Sequence, residues 1–166
     1  EMYVELDHDD TLTPNALAAI KAAFDKNGVG FYYSDFVAYY PNGVSEEYSN
    51  FHGWRGYEFE YEGKTYQAQR AFEPCARSLC EIYYAPNHVR AWHRDAYYKA
   101  GGHDPLVTVG DDHDLVCKTY LADVAFVYVP EVLYMYRRVL DKKASNTSVA
   151  QSALIAKQQL ANMNRF

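Results

Sequence analysis

The chain has 166 residues, the length of one domain: enough to bury a sizeable core and too few to divide comfortably into two. Sixteen Lys and Arg stand against 22 Asp and Glu, giving a formal net charge of -6 with no basic block, which argues against a nucleic-acid groove or an anionic membrane surface as partner. No apolar run approaches the roughly 20 residues of a membrane span, and no signal-peptide pattern precedes the first strand, so the chain reads as soluble and cytoplasmic. Cys75, Cys80 and Cys117 form neither a CxxC pair nor an even disulfide framework, which suits a reducing compartment, with a single Cys75–Cys80 bridge left open. The 17 Tyr, 8 Phe and 2 Trp suit both cores and sugar-binding clefts, and composition alone does not separate the two.

In chain order, residues 2–6 predict a short buried strand that runs into Asp7-His8-Asp9-Asp10. Thr13-Pro14 then forms an N-cap and first-turn proline for a helix over about 14–26, with Leu17, Ile20 and Phe24 as its apolar stripe and Asn27-Gly28 as its stop. The stretch from Gly30 to Phe36 is the next strand, which Val37 to Tyr40 can extend up to the Pro41-Asn42-Gly43 turn. Within 45–72, segments 57–61 and 64–69 alternate like a hairpin around Glu62-Gly63, an insertion or lid at the sheet edge.

Pro74 to Tyr84 predicts a short helix with Leu79 and Ile82 facing inward; Asn87 to His93 predicts a strand and Arg94 to Ala100 a helix closed by Gly101-Gly102. Asp111-Asp112-His113-Asp114 opens another helix, where acids suit the helix dipole. Residues 125–129 and 132–136 read as two strands separated by Pro130-Glu131. A polar linker, Asp141 to Thr147, precedes a closing helix from about Ser148 to Asn164. There is no internal repeat.

Two acidic clusters carry the candidate chemistry. Short carboxylates are the ligands that hard cations such as Mg²⁺ or Mn²⁺ select, and Asp7 and Asp9 converge on one ion only where the backbone turns after the strand. The bland reading is that these acids cap the following helix and face solvent. Asp111 and Asp112 lie at a glycine-preceded helix start, where N-capping is the plain reading and a general base for an incoming hydroxyl the functional one. On the strand before Arg94, alternation puts His88, Arg90 and Trp92 on one face, as lining for an acceptor cleft or as ordinary core residues.

Together these segments resemble family-two GT-A glycosyltransferases. Leu6-Asp7-His8-Asp9-Asp10-Thr11-Leu12-Thr13-Pro14 is similar to that family's "LDxDDxLxP", Arg94 to Asp104 to its "RxxxxxxGGFD", Gly110 to Leu115 to its "GEDxDL", and Val129 to Arg137 to its "VPxxLYxYR". Tyr32, Ser34 and Asp35 follow its "YSD", and Ser145 to Ser148 echo its "NxS". Four motifs stand in family order, and the likeness runs from residue 1 to about 148.

The resemblance implies an α/β GT-A-like mixed sheet flanked by helices and an inverting, metal-assisted hexosyl transfer from a nucleotide-sugar, a UDP-sugar above all, to a saccharide or other hydroxyl acceptor. It implies Asp7 and Asp9 as ligands of Mn²⁺ or Mg²⁺, Asp10 as their support, Asp112 as catalytic base, and Asp111, in place of the family's usual Glu, at the substrate. His88, Arg90 and Trp92 fall on its substrate side. Two departures accompany it. The histidine that follows the "YR" strand in such proteins is replaced here by Arg138-Val139-Leu140-Asp141, with Asp141 as a substitute. The nucleoside-binding strands that precede the DxD strand, roughly 80–100 residues by domain size, have no counterpart, so an upstream segment or a partner chain is expected to complete the donor site. Two rival readings are a non-catalytic carbohydrate-binding or scaffolding remnant and a Mg²⁺-dependent phosphate-handling hydrolase.

Overall fold

The structure is a computed structural model that describes residues 1–48, 53–82, 85–138 and 149–166. The expected linker 141–147, its Asp141 and the 145–148 segment lie outside the described residues, as do Tyr83 and Tyr84 of the expected short helix.

Seven strands form one mixed sheet: β1 (Met2–Val4), β2 (Thr11–Leu12), β3 (Phe31–Tyr39), β4 (Arg55–Tyr61), β5 (Lys64–Arg70), β6 (Arg90–His93) and β7 (Phe126–Arg137). The main path runs β1-β6-β3-β5-β4, all antiparallel, while β7 lies parallel to β3 and also pairs antiparallel with β2. Among the described residues five helices accompany it: α1 (Ala16–Asn27), α2 (Ala76–Glu81), α3 (Arg94–Lys99), α4 (Asp111–Leu121) and α5 (Val149–Met163).

Strand β3 is the centre because both of its faces are apolar and covered. Tyr32, Phe36 and Ala38 pack with Ala16 and Ile20 of α1, while Phe31 and Tyr33 pack with Leu79 of α2, Ala96 of α3 and Leu115 and Val116 of α4. The period of two along the strand thus decides which helices lie on which side. Helix α1 buries Ala16 and Ile20, with Ala19, Ala23 and Phe24 half-buried; Leu17, expected in that stripe, is exposed because it lies one step off the line those residues trace.

Two further expectations change. Strand β1 ends the sheet with β6 as its partner, and its residues are half-buried rather than buried. The two strands expected around Pro130-Glu131 are one strand, β7, with a bulge: Ser34 pairs Val129, Asp35 pairs Val132 and Phe36 pairs Tyr134. Proline lacks the ladder donor, and a bulge is where a strand tolerates it. The expected strand over 87–93 shortens to β6, and the helix expected from Pro74 begins at Ala76, capped by Cys75. The hairpin read at 57–69 is the β4–β5 pair at the far end of the sheet path.

Candidate functional site

The first acidic cluster forms where β1 leaves the sheet. Asp7 to Asp10 make a tight turn, with the Asp10 N–H donating to the Asp7 carbonyl at 3.2 Å, and β2 then pairs with β7. Strand β7 holds the turn in place. The Tyr134 hydroxyl accepts from the Asp7 N–H at 3.1 Å and donates to Asp10 Oδ2 at 2.8 Å, while the Arg137 N–H donates to Asp10 Oδ1 at 2.7 Å. Asp10 is therefore buried and bonded on both oxygens, whereas the Asp7 side chain is mostly exposed. Burial raises the Asp10 carboxyl to about 6 against these two bonds, and burial followed by the Asp112 and Glu5 charges raises Asp7.

His88 arrives from a different part of the chain. The adjacent Val89 N–H donates to Ser34 Oγ at 3.2 Å, the His88 N–H donates to Asn87 Oδ1 at 2.8 Å, and the ring stacks on Tyr134 at 4.2 Å between centroids. Its Nε2 stands 3.9 Å from Asp7 Oδ2, and its buried Nδ1 has no hydrogen-bond partner among the described residues. Burial, then the Arg90 charge, depresses this imidazole to about 3, so it is neutral at physiological pH with its lone pair available.

Ligand atoms from Asp7, Asp10 and His88 lie within 4.8 Å of one another, close enough to hold one cation. Asp9, which the spacing pairs with Asp7, is not in this group; its carboxylate lies 3.9 Å from Nδ1 of the exposed His8. The turn that brings Asp10 back under Tyr134 selects it over Asp9. An unpartnered neutral imidazole beside two acids is a donor set that fits a divalent cation, and its mix of nitrogen and oxygen lies between the preferences of the softer metals and of Mg²⁺.

The second cluster meets the first through Arg90. That side chain is 1 % exposed; its Nε donates to the Pro86 carbonyl at 3.0 Å, and its Nη1 lies 2.5 Å from Asp112 Oδ2 and 3.4 Å from Glu5 Oε2. Burial alone disfavours the guanidinium charge, yet the two carboxylates outweigh it and raise the group further. At Asp112 burial likewise opposes ionisation, and Arg90 outweighs it, leaving the carboxyl below its usual value. The Asp112 side chain is still 41 % exposed, so one buried cation neutralises a carboxylate that opens to solvent. Asp111 precedes it on the first turn of α4, half-buried.

Of the residues read from the sequence, Asp7, Asp10, His88, Arg90 and Asp112 come together, and Asp9 stands beside them. Trp92 is buried, packed against Phe31 and donating its Nε1–H to Thr119 Oγ1 at 2.9 Å, a core role. Asp35 lies inside the sheet, accepting from Tyr57, Tyr128 and the Ala71 N–H at 2.6–2.8 Å. Sequence reasoning missed Glu5 and His103. Glu5 Oε1 lies 3.3 Å from His103 Nε2, which extends the charge chain His103–Glu5–Arg90–Asp112. The available signal was the alternation of β1, which sets Glu5 on the face opposite Met2 and Val4.

Among the described residues no helix is long and apolar enough to cross a membrane. Compared with protein-family models and with curated proteins, the chain matches none.

Proposed function

We propose that the chain carries the catalytic acid and the metal-binding acids of a GT-A-type inverting glycosyltransferase, moving a sugar from a nucleotide-sugar to a hydroxyl acceptor. One observation carries the reading: two acidic clusters a hundred residues apart in sequence meet in space, with Arg90 Nη1 2.5 Å from Asp112 Oδ2 and 3.4 Å from Oε2 of Glu5, two residues before Asp7, whose Oδ2 stands 3.9 Å from His88 Nε2. A cation bound at Asp7, Asp10 and His88 would neutralise charge on a departing nucleoside diphosphate. Asp112 would take the proton of the acceptor hydroxyl; the charge of Arg90 keeps it ionised and at the same time makes it a weaker base. Arg90 orients that carboxylate, and Glu5 meets the same Nη1 of Arg90.

The same Arg90 pair supports a second reading. A buried guanidinium locked onto Asp112 is also what a domain retains when it keeps its architecture without turnover, as a carbohydrate-binding or scaffolding remnant. Calorimetry with UDP and Mn²⁺ on the full chain separates the two. A transferase site binds the two cooperatively through the metal and the diphosphate of UDP, and Asp112→Asn leaves that binding intact; once the segment or partner that supplies the nucleoside-binding strands is present, the variant cuts nucleoside diphosphate release by roughly a hundredfold or more. A remnant binds neither, and release of free phosphate from simple esters would instead mark a hydrolase.

A further inference from the structure

Beside the charge chain, and on the side of Glu5 away from Asp112, a cavity of about 410 Å³ opens between β1, β6 and α3. Its volume falls within the roughly 300–1,000 Å³ of small-molecule sites, which combine apolar and aromatic walls with a few placed polar groups. Tyr3, Tyr97 and Tyr98 form the wall, each pair of rings edge to face at 5.0–6.2 Å. Trp92 closes the floor.

The wall is built from the backbone up. Gly101 and Gly102 both take positive φ to end α3, and a Cβ on Gly102 would stand 2.9 Å from the Tyr97 ring. The turn they make returns His103 to that ring: its N–H donates to the Tyr97 hydroxyl at 3.1 Å, and its Nδ1 lies 3.0 Å from the same oxygen. His103 Nε2 then faces Glu5 at 3.3 Å. The Glu5 carboxylate 3.3 Å away, with the hydrogen bond to Tyr97, raises His103 to about 9 against burial, so the polar end of the cavity sets an imidazolium beside a carboxylate.

The chemistry of the lining narrows the occupant. A wholly apolar molecule would strip water from Glu5 and His103 and return no hydrogen bond. An anion meets Glu5, and a cation meets His103 with Arg90 behind it. A neutral molecule with an apolar face for the tyrosines and hydroxyls around its rim satisfies both, because a hydroxyl donates to the carboxylate and accepts from the imidazolium. We propose that this cavity binds a neutral saccharide ring, with Tyr3 and Tyr98 against its apolar face and Glu5 and His103 holding its hydroxyls. Glu5 and the buried Arg90 stand between this cavity and Asp112, so the ring held here occupies a second saccharide site, separate from the hydroxyl that Asp112 would deprotonate, and its binding does not rest on the transferase reading. Binding itself needs neither donor nor metal.

The test is ligand-observed NMR on the full chain, free of metal, with methyl glycosides of glucose, galactose and N-acetylglucosamine. Glycerol supplies hydroxyls without a ring, and p-cresol a ring without a rim of hydroxyls. Saturable binding of at least one glycoside is expected, with neither control competing. Tyr98 is 65 % exposed, so Tyr98→Ala should leave the fold intact while weakening binding roughly fivefold to tenfold. Glu5→Gln, which keeps the shape and removes the charge, should weaken it as well. The proposal is overturned if no glycoside saturates, if p-cresol displaces the glycoside, or if both variants bind as the unaltered chain does. Calorimetry with UDP and Mn²⁺ reports separately on the transferase reading.

Discussion

Two groups of acids differ in how completely the protein answers them. Asp35 in β3 accepts two tyrosine hydroxyls and a backbone N–H, and Asp114 in α4 faces Lys118 at 3.0 Å and Arg165 at 2.7 Å. Asp35 is closed by hydrogen bonds and ties β4, β7 and the chain after β5 to one point, while Asp114 is answered by charge, its two oxygens in ion pairs without hydrogen-bond geometry, and ties Arg165 to α4. At the end of β1 the account stays open. Asp7 is largely exposed, a neutral imidazole whose buried Nδ1 has no hydrogen-bond partner among the described residues stands 3.9 Å away, and burial and its acidic neighbours raise its pKa. Acids that serve architecture collect donors from their own fold, and acids that serve a ligand leave places for it.

The strongest way to break that contrast is to open the closed region. Asp35→Ala leaves two hydroxyls and an N–H without their acceptor in a fully packed sheet, and should cost about 3 kcal/mol in urea unfolding, with Asp35→Asn costing less. A cost near zero would show that the tyrosines find other partners and that closure of this kind does not identify an architectural acid.

The complementary experiment fills the open region. At a Mn²⁺ concentration about 100 times its Kd, the chain should gain about 2.7 kcal/mol of stability, read as a rise in melting temperature. Asp10→Asn and His88→Ala should abolish the gain, and Asp9→Asn should keep it. The reverse pattern would restore the Asp7–Asp9 pair that spacing alone favours and remove His88 from the site.

A smaller effect sharpens the contrast between the ends of the charge chain. His103 is raised from 6.5 to about 9 in the folded state, so its contribution to stability is complete below about 6.5 and is lost as pH rises through 9. Melting temperature should fall over this window by more in the unaltered chain than in His103→Gln, and equal slopes would show that Glu5 does not hold a charged imidazole.

Elements with local causes were legible in the sequence. Gly28 stops α1 as read, although the helix starts at Ala16 behind Asn15 and the Thr13 hydroxyl, expected as its cap, donates to the Val132 carbonyl instead; the Glu62-Gly63 turn marks the β4–β5 hairpin, and Gly110 with the acids after it marks α4. What escaped depends on contacts far apart in the chain. Asp9 and Asp10 are equivalent in a pattern of carboxylates; the Tyr134 hydroxyl and the Arg137 N–H, more than 120 residues on, decide between them. His88 was legible as a residue near the site but not as a partner of Asp7, because Ser34 and Tyr134 place it. Pro130 reads as a break, and only the pairing with β3 turns that break into a bulge.

That bulge sets a rule for how this chain can change. Before it, Tyr32 lies beside Val127 and Ser34 beside Val129; after it, Phe36 lies beside Tyr134 and Ala38 beside Tyr136. Three additional residues in β7 separate the two registers, an odd number, so the bulge reverses which side of the sheet odd- and even-numbered residues occupy. Substitutions at Pro130 or Glu131, both exposed, leave that count untouched. Deleting one residue there would turn Tyr134 and Tyr136 to the opposite side, taking from Asp10 its hydroxyl and from His88 its stacking surface. Related chains that keep the site should therefore vary in the identity of these residues while preserving their number.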